Sequence, residues 1–404
     1  MVTTFYPPYN FGGDGVFVHR LSNELARRGH RVDVVHCVDA YRLFDATPPG
    51  DYDDHPNVTV HGLRTRLRSV SPIVTHQLGI PGPKAPQLRA ILEQPFDVIH
   101  YHNISLVGGP RILRYGDAIK LYSLLDYWLV CPTNVLFRFN RAPCSRRHCV
   151  SCTLVYRRPP QWWRYAGLLE RALGHVDAFL APSRFSRTIH ERLGLGGRLF
   201  DFPHFAASHE SRDDGEPAPV PGAGRPYFLF VGRLERLKGA HTLIPVFRDV
   251  PGADLLVAGS GGDEEMLRRL AHGMDNVRFL GQVTQQRLAQ LYRGAVGVVV
   301  PSVCYDAAPL VIAEAAREGT PALVRNLGGM PEMIEGSGGG VVYTSDSQLV
   351  EAMTRLIEHR SYRADLGRRA LSGYHAQWTA DIYIERYLRL IEDLAARRRK
   401  TTIA

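Results

Sequence analysis

Short apolar runs alternate with stretches of helical periodicity along the whole chain. In the first half MVTTFY, RVDVVHCV, VTVHGL, DVIHYH, IKLYSLL and VDAFLAPS read as strands, and an amphipathic helix follows the glycine loop Gly12, Gly13, Gly15 and ends near Gly29. The opening strand, loop, helix and next strand make one βαβ unit. YFLFVG, DLLVAG, VRFLG, VGVVVP, PALVR and GGVVY form a second series. Their alternation with helices predicts parallel sheets, and runs as apolar as YFLFV suit strands covered on both faces. Between the halves, SHESRDDGEPAPVPGAG is polar and rich in proline and glycine, which predicts a linker. The expected division is a first domain at 1–208, a linker at 209–226, a second domain at 227–375 and a closing helix at 376–404. MVTTFY is short for the leading strand of such a unit, so Met1 is expected to be an internal start.

Charge placement adds chemistry to this pattern. Asp306 and Glu314 stand in PSVCYDAAPLVIAEAAREGTP, where Pro309 suits the first position of a helix because its missing N–H would have no intrahelical partner there. The amides of Leu310 and Val311 then face outward, and a helix start of this kind attracts anions, phosphate above all. Two carboxylates beside a phosphate-sized pocket suit sugar hydroxyls; two solvated acids near a helix start are the plainer reading. Upstream, Arg233 and Lys238 follow the strand YFLFV in VGRLERLKG between glycine turns at Gly232 and Gly239. Two cations at the carboxyl end of a strand fit a diphosphate. The run GSGG after LLVA reads as a tight turn and gains no dinucleotide role.

These residues resemble glycosyltransferase family 4, the nucleotide-sugar enzymes of the GT-B fold that retain anomeric configuration. The resemblance also takes in FYPPYNFGGDG, HRLSNELARRGHRVDVV, FDVIHYHN, APSRFSRTI, NVRFLGQV and GGMPEMI, and so spans nearly the whole chain. It implies an α/β protein of two facing Rossmann-like doubly wound domains with an interdomain cleft, the last helix crossing back to the first domain. It further implies that Glu314 holds the ribose hydroxyls and Asp306 a donor-sugar hydroxyl, that the Leu310 and Val311 amides take the distal phosphate, and that Arg233 and Lys238 neutralise the departing diphosphate. Phe279, Leu280 and Gly281 meet the base through backbone groups, Gly12 and Gly13 approach the phosphates, and no divalent metal is required. His102, at the end of the strand DVIHYH that also carries His100, and Asp126 complete the expected catalytic set; a packed or surface histidine is the alternative for His102. Two departures stand out: many relatives have Glu in place of Asp306, and many have His in place of Leu125. The expected function is transfer of a sugar from a nucleoside diphosphate sugar, UDP ahead of GDP, to a hydroxyl of a glycan, lipid-linked or small-molecule acceptor. A non-catalytic GT-B scaffold that binds nucleotide or glycan is the alternative, and an epimerase or phosphorylase finds no signal of its own.

Composition narrows the remaining choices. The chain has 404 residues, enough for two α/β cores, with a hydrophobic share of 45% and no apolar stretch of membrane-spanning length. With no secretory leader visible, the expected location is the cytoplasm, or the inner membrane face as a peripheral protein. A formal charge of +9 favours anionic partners, and with no nucleic-acid module nucleic acid is not among those expected. Of six cysteines, Cys37 and Cys304 read as buried apolar residues. Cys131, Cys144, Cys149 and Cys152 cluster, the last two in C-x2-C, which suits a structural zinc; four reduced thiols, or a redox or iron–sulfur role, are the alternatives. After them Arg157, Arg158, Trp162, Trp163, Arg164 and Tyr165 mix charge with amphipathic rings, as a membrane interface or saccharide platform would. The duller expectation has the tryptophans packed beneath the cysteine loop and the arginines wet.

Overall fold

The computed structural model describes residues 1–44, 52–206 and 224–403, so most of the expected linker lies outside the described residues. The chain forms two compact units, one of Met1–Phe202 with Tyr383–Ala404, the other of Pro203–Ile382.

In the first unit β1 (Val32–Cys37) pairs in parallel with β2 (Val58–Leu63), while β3 (Val98–Tyr101), β4 (Ile119–Ser123), β5 (Ala178–Ala181) and β6 (Leu199–Asp201) form a parallel sheet in that order. The amino-terminal segment joins the two sets. Val2 bridges in parallel to Val35 on one side and Tyr101 on the other. MVTTFY is thus reduced to a bridge instead of a strand. Val2, Val35, Ile99, Tyr101, Tyr122 and Phe179 are buried in one apolar core. β6 was not anticipated, since three residues are too few to show a period.

The second unit contains β7 (Tyr227–Val231), β8 (Asp254–Ala258), β9 (Val277–Gly281), β10 (Gly297–Val300), β11 (Ala322–Arg325) and β12 (Gly340–Tyr343), one parallel sheet in the order β9-β8-β7-β10-β11-β12. All six follow the apolar runs. Alternate residues of β7 enter opposite cores, Phe228 and Phe230 on one face and Tyr227 and Leu229 on the other, which is why the run is continuously apolar. The strand order reverses between β7 and β10. In open sheets of this kind, ligands bind outside the carboxyl ends of the strands at that reversal.

The closing segment is two helices, Arg360–Gln377 and Ala380–Ile403, in place of the single helix expected. The break at Trp378 and Thr379 is stabilised by Ala206, whose amide donates to the Trp378 carbonyl at 3.1 Å, and by the Thr379 hydroxyl, which accepts from the Ile382 amide at 3.4 Å. Ala206 packs in the second unit's core, so the first unit gives way at Phe202 and not at 208, and the returning stretch begins at Tyr383 and not at 376. From there the helix packs on the first unit: Tyr387 Oη lies 3.0 Å from His100 Nδ1, and Arg398 binds Asp177 at 2.7 Å and the Ala118 carbonyl at 2.9 Å.

Candidate active site

In the second unit Lys238 and Asp306 meet at the strand-order reversal, the first after β7 and the second after β10. Lys238 Nζ donates to both carboxylate oxygens of Asp306, at 2.8 and 3.0 Å, and the Ser302 hydroxyl donates to the same carboxylate. Burial opposes the lysine's charge, but the Asp306 carboxylate overcomes it and holds the Lys238 pKa above its ordinary value. Glycine makes this approach feasible. Gly239 sits at φ 76° where a Cβ would overlap the Pro301 carbonyl, and Gly328, at φ 66°, leaves room for the backbone of Asp306, whose carbonyl accepts from Gly329 N at 2.8 Å. Arg233, which lies closer to the surface, pairs with Glu235 at 2.6 Å. Each cation therefore already has an acidic partner, which the spacing alone did not reveal.

Helix Leu310–Arg317 starts beside this pair. Pro309 is its N-cap, one position earlier than expected, because its ψ of 122° is extended and its carbonyl already accepts from Ile312 N at 3.1 Å. Leu310 and Val311 are then the first two helical residues, and no backbone partner for their amides occurs among the described residues. Glu314 is 6% exposed and accepts from Tyr292 Oη at 3.0 Å. Tyr292 is itself buried, which explains how a carboxylate stays aligned that deep in the helix; its place in QQRLAQLYRG gave no hint of the role. Phe279, Leu280 and Gly281 close edge strand β9, half-buried, with the Arg268 guanidinium 4.6 Å over the Phe279 ring. The GSGG run packs its backbone onto the loop carrying Arg233: Leu234 N donates to Ser260 O at 2.9 Å, and a Cβ on Gly259 would overlap Gly232 O. It is a packing turn, as its sequence suggested.

The first unit gathers a different network at the carboxyl ends of β3 and β4. Asp126 accepts from Asn103 Nδ2 at 2.8 Å, Asn134 Nδ2 at 3.2 Å and Trp128 N at 2.9 Å, and Thr4 Oγ1 donates to Asn103 Oδ1 at 3.1 Å. Burial, reinforced by the charge of Asp14, raises the Asp126 pKa to about 7 against those hydrogen bonds. A carboxyl poised there can hold or release a proton near neutrality. Gly12 is the N-cap of helix Gly13–Arg27, at φ 89°, with its carbonyl held by Asn10 Nδ2 at 2.8 Å; Gly13 is exposed. His102 is not a surface group: it is 1% exposed, its ring 4.1 Å from that of His100. His102 follows the strand directly, and both rings are buried. Burial lowers the His100 pKa well below the usual histidine range, and its Nε2 lies 2.9 Å from Ser123 Oγ.

Residues 11–199 match the family described as Glycosyltransferase Family 4, and residues 213–372 that described as Glycosyl transferases group 1. An uncharacterized glycosyltransferase of Methanocaldococcus jannaschii is 32% identical over 355 residues, which cover 84% of this chain and 83% of that protein. The chain belongs to glycosyltransferase family 4. Among solved structures, sucrose-phosphate synthase from Thermosynechococcus elongatus aligns over 98% of each chain with a TM-score of 0.71 at 19% identity. HepE from Anabaena, solved in complex with UDP-glucose, aligns over 97% of this chain and 99% of its own with a TM-score of 0.65 at 16% identity. The glycosyltransferase has the GT-B fold and moves sugar from a nucleotide-sugar donor.

The four expected zinc ligands of this glycosyltransferase are neighbours, Cys131, Cys149 and Cys152 all bearing on the Cys144 thiol. Among the described residues no three histidine, cysteine, aspartate or glutamate side chains are arranged to hold a metal, and all six cysteines are free thiols. The sulfurs have local partners instead: Cys131 Sγ lies 3.2 Å from Thr133 Oγ1, Cys144 donates to the Arg146 carbonyl at 3.4 Å, and Cys152 accepts from Phe139 N at 3.3 Å. Burial and neighbouring thiols raise the pKa of Cys144 and Cys149, which favours the reduced, protonated form. The aromatic segment divides. Trp163 is buried and Trp162 is 63% exposed. Arg164 is not wet: its guanidinium lies 5.0 Å from the Trp128 ring and 4.8 Å from the Trp163 ring, and donates to the Trp128 carbonyl at 2.7 Å. Burial lowers its pKa to about 10.

Proposed function

We propose that the enzyme is a hexosyltransferase that retains anomeric configuration and uses a UDP-sugar in preference to a GDP-sugar. The reading rests on the Lys238–Asp306 pair at the strand-order reversal, beside the start of helix Leu310–Arg317. Breaking the bond from the sugar's anomeric carbon sends its electron pair to the diphosphate, and preorganised cations and amides stabilise that charge most in the transition state. Lys238 and Arg233 supply the cations, the Leu310 and Val311 amides receive the distal phosphate, and Glu314, held by Tyr292, takes the ribose hydroxyls. Asp306 holds a sugar hydroxyl; in the first unit Asp126, with a pKa near neutrality, suits a general base. No divalent metal is needed, because positive charge is already built in. The preference for UDP draws support from HepE, which binds UDP-glucose, and the base itself would be met by backbone groups of Phe279, Leu280 and Gly281.

The acceptor is a hydroxyl of a glycan, a lipid-linked saccharide or a small molecule, and the reaction takes place in the cytoplasm, with the enzyme stationed peripherally at the membrane. No helix among the described residues is long and apolar enough to cross a membrane. Incubation with a panel of UDP-, GDP- and ADP-hexoses, with NMR assignment of the product anomer in the presence and absence of EDTA, tests the reading. Release of UDP with the donor's configuration kept, unaffected by EDTA, is the expected result. Turnover of GDP-sugars alone, or inversion, overturns it.

A further inference from the structure

Two stretches of the first unit carry no acid. Residues 55–92 contain Arg64, Arg66, Arg68, Lys84 and Arg89 without an aspartate or glutamate, and residues 127–169 contain seven arginines without one. Both stretches also expose large apolar side chains. Val70, Ile73 and Leu78 of helix Val70–Leu78 are 52%, 49% and 54% exposed, and Leu154, Trp162 and Tyr165 are 59%, 63% and 63% exposed. The stretches are neighbours in space. Trp163 Nε1 donates to the His76 carbonyl at 2.9 Å, and a Cβ on Gly79 would meet the Trp163 ring. Helix Cys149–Val155 adjoins them, since Cys149, Val150 and Tyr165 line one cavity of about 580 Å³. Buried Trp163 therefore acts as the keystone under an exposed apolar face whose rim carries Arg66, Arg68, Arg157 and Arg158, all exposed.

We propose that this face seats the glycosyltransferase on an anionic lipid surface. Aliphatic side chains for the acyl boundary, one exposed tryptophan and one exposed tyrosine for the headgroup level, and arginines that outnumber the one acid lining the adjoining cavity, Glu170, form the combination that an interfacial protein needs. Nucleic acid would use the arginines but gain nothing from Val70, Ile73 and Leu154. A second copy would bring arginine against arginine. The proposal gives the peripheral station named above a definite surface, and none of these side chains belongs to the donor machinery.

Co-sedimentation with vesicles of phosphatidylcholine alone and of phosphatidylcholine with phosphatidylglycerol tests it. The wild type is expected to bind the anionic vesicles at least tenfold more tightly at low salt, with a blue shift in fluorescence from Trp162, the exposed member of four tryptophans. Arg157→Ala with Arg158→Ala removes about fivefold per charge. Ile73→Ser with Trp162→Ser weakens binding by roughly tenfold or more and removes the shift. UDP affinity stays at the wild-type value in every variant, so failure here is distinguishable from failure of the donor reading. Equal binding to both vesicle types, no binding at low salt, sedimentation without vesicles, or retention on single-stranded DNA indifferent to Ile73→Ser and Trp162→Ser overturns the proposal.

Discussion

Removing either half of the Lys238–Asp306 pair is expected to move nucleotide affinity in opposite directions. At 2.8 Å the gross attraction is about 6 kcal/mol with an effective dielectric constant of 20, most of it offset by taking both groups partly out of water. The side chains keep 29% and 16% of their exposure, and Asp306 retains Ser302 after Lys238 is removed. Lys238→Ala should therefore cost about 1–3 kcal/mol of stability, below the range for a fully buried pair. Its larger effect is on the reaction: one charged hydrogen bond to the diphosphate is worth about 1.5–3 kcal/mol, so UDP affinity falls tenfold or more, and turnover falls on the order of 100-fold. Asp306→Asn keeps the shape and removes the carboxylate that competes with phosphate for the ammonium. UDP should then bind roughly threefold to tenfold more tightly at low salt, while turnover falls with the loss of the sugar contact. Calorimetric titration with UDP, beside initial rates, separates the two quantities. If Asp306→Asn weakens UDP as much as Lys238→Ala, Asp306 is not a competitor for the lysine and the charge argument fails.

Four further outcomes are expected. Glu314→Ala weakens nucleotide binding by about 1.5–3 kcal/mol and Tyr292→Phe by about 0.5–1.5 kcal/mol; equal affinity in both variants removes the ribose assignment. Asp126 has a folded pKa of about 7 against an unfolded value near 4, so the folded state binds the extra proton, and its contribution to stability is present at low pH and lost as pH rises from about 4 to 7. Asp126→Asn should flatten that fall in a series of melts and lower turnover about 100-fold; an unchanged pH profile would falsify the assignment. Gly239→Ala, placing a Cβ against the Pro301 carbonyl at positive φ, should cost about 1–3 kcal/mol and lower UDP affinity with it, as calorimetry would show. Cys144 and Cys149 should alkylate more slowly than free cysteine at pH 8, and fast labelling of either by mass spectrometry contradicts a raised thiol pKa.

The second unit was the more legible half. Its strands are continuously apolar because both faces are covered, so YFLFV, DLLVA and GVVV stand out without any alignment, and the cations and the acid fall just past two of them. What the chain hid was pairing at long range. Nothing in VGRLERLKG says that Lys238 will be held by a residue 68 positions later, nor that Tyr292 will brace Glu314 from another helix. The first unit was read less well where elements are short or local preference yields to packing. MVTTFY shrinks to a bridge, Leu199–Asp201 is too brief to show a period, and the C-x2-C spacing does not show that Cys131, Cys144 and Cys152 each find a hydrogen bond nearby. The strand end that suggested a cleft position for His102 does not show that its ring is buried beside that of His100.

The order in which the chain is synthesised gives the return of residues 383–403 a biological cost. His100 waits for Tyr387, and Asp177 for Arg398, so these earlier residues lack their partners until residues 383–403 have left the ribosome. The second unit, continuous in sequence from Pro203 to Ile382, has no such wait. During translation the nascent first unit holds an open seam, and a stop codon placed near residue 382 should yield a protein whose second unit folds while the first is handed to chaperones or proteases.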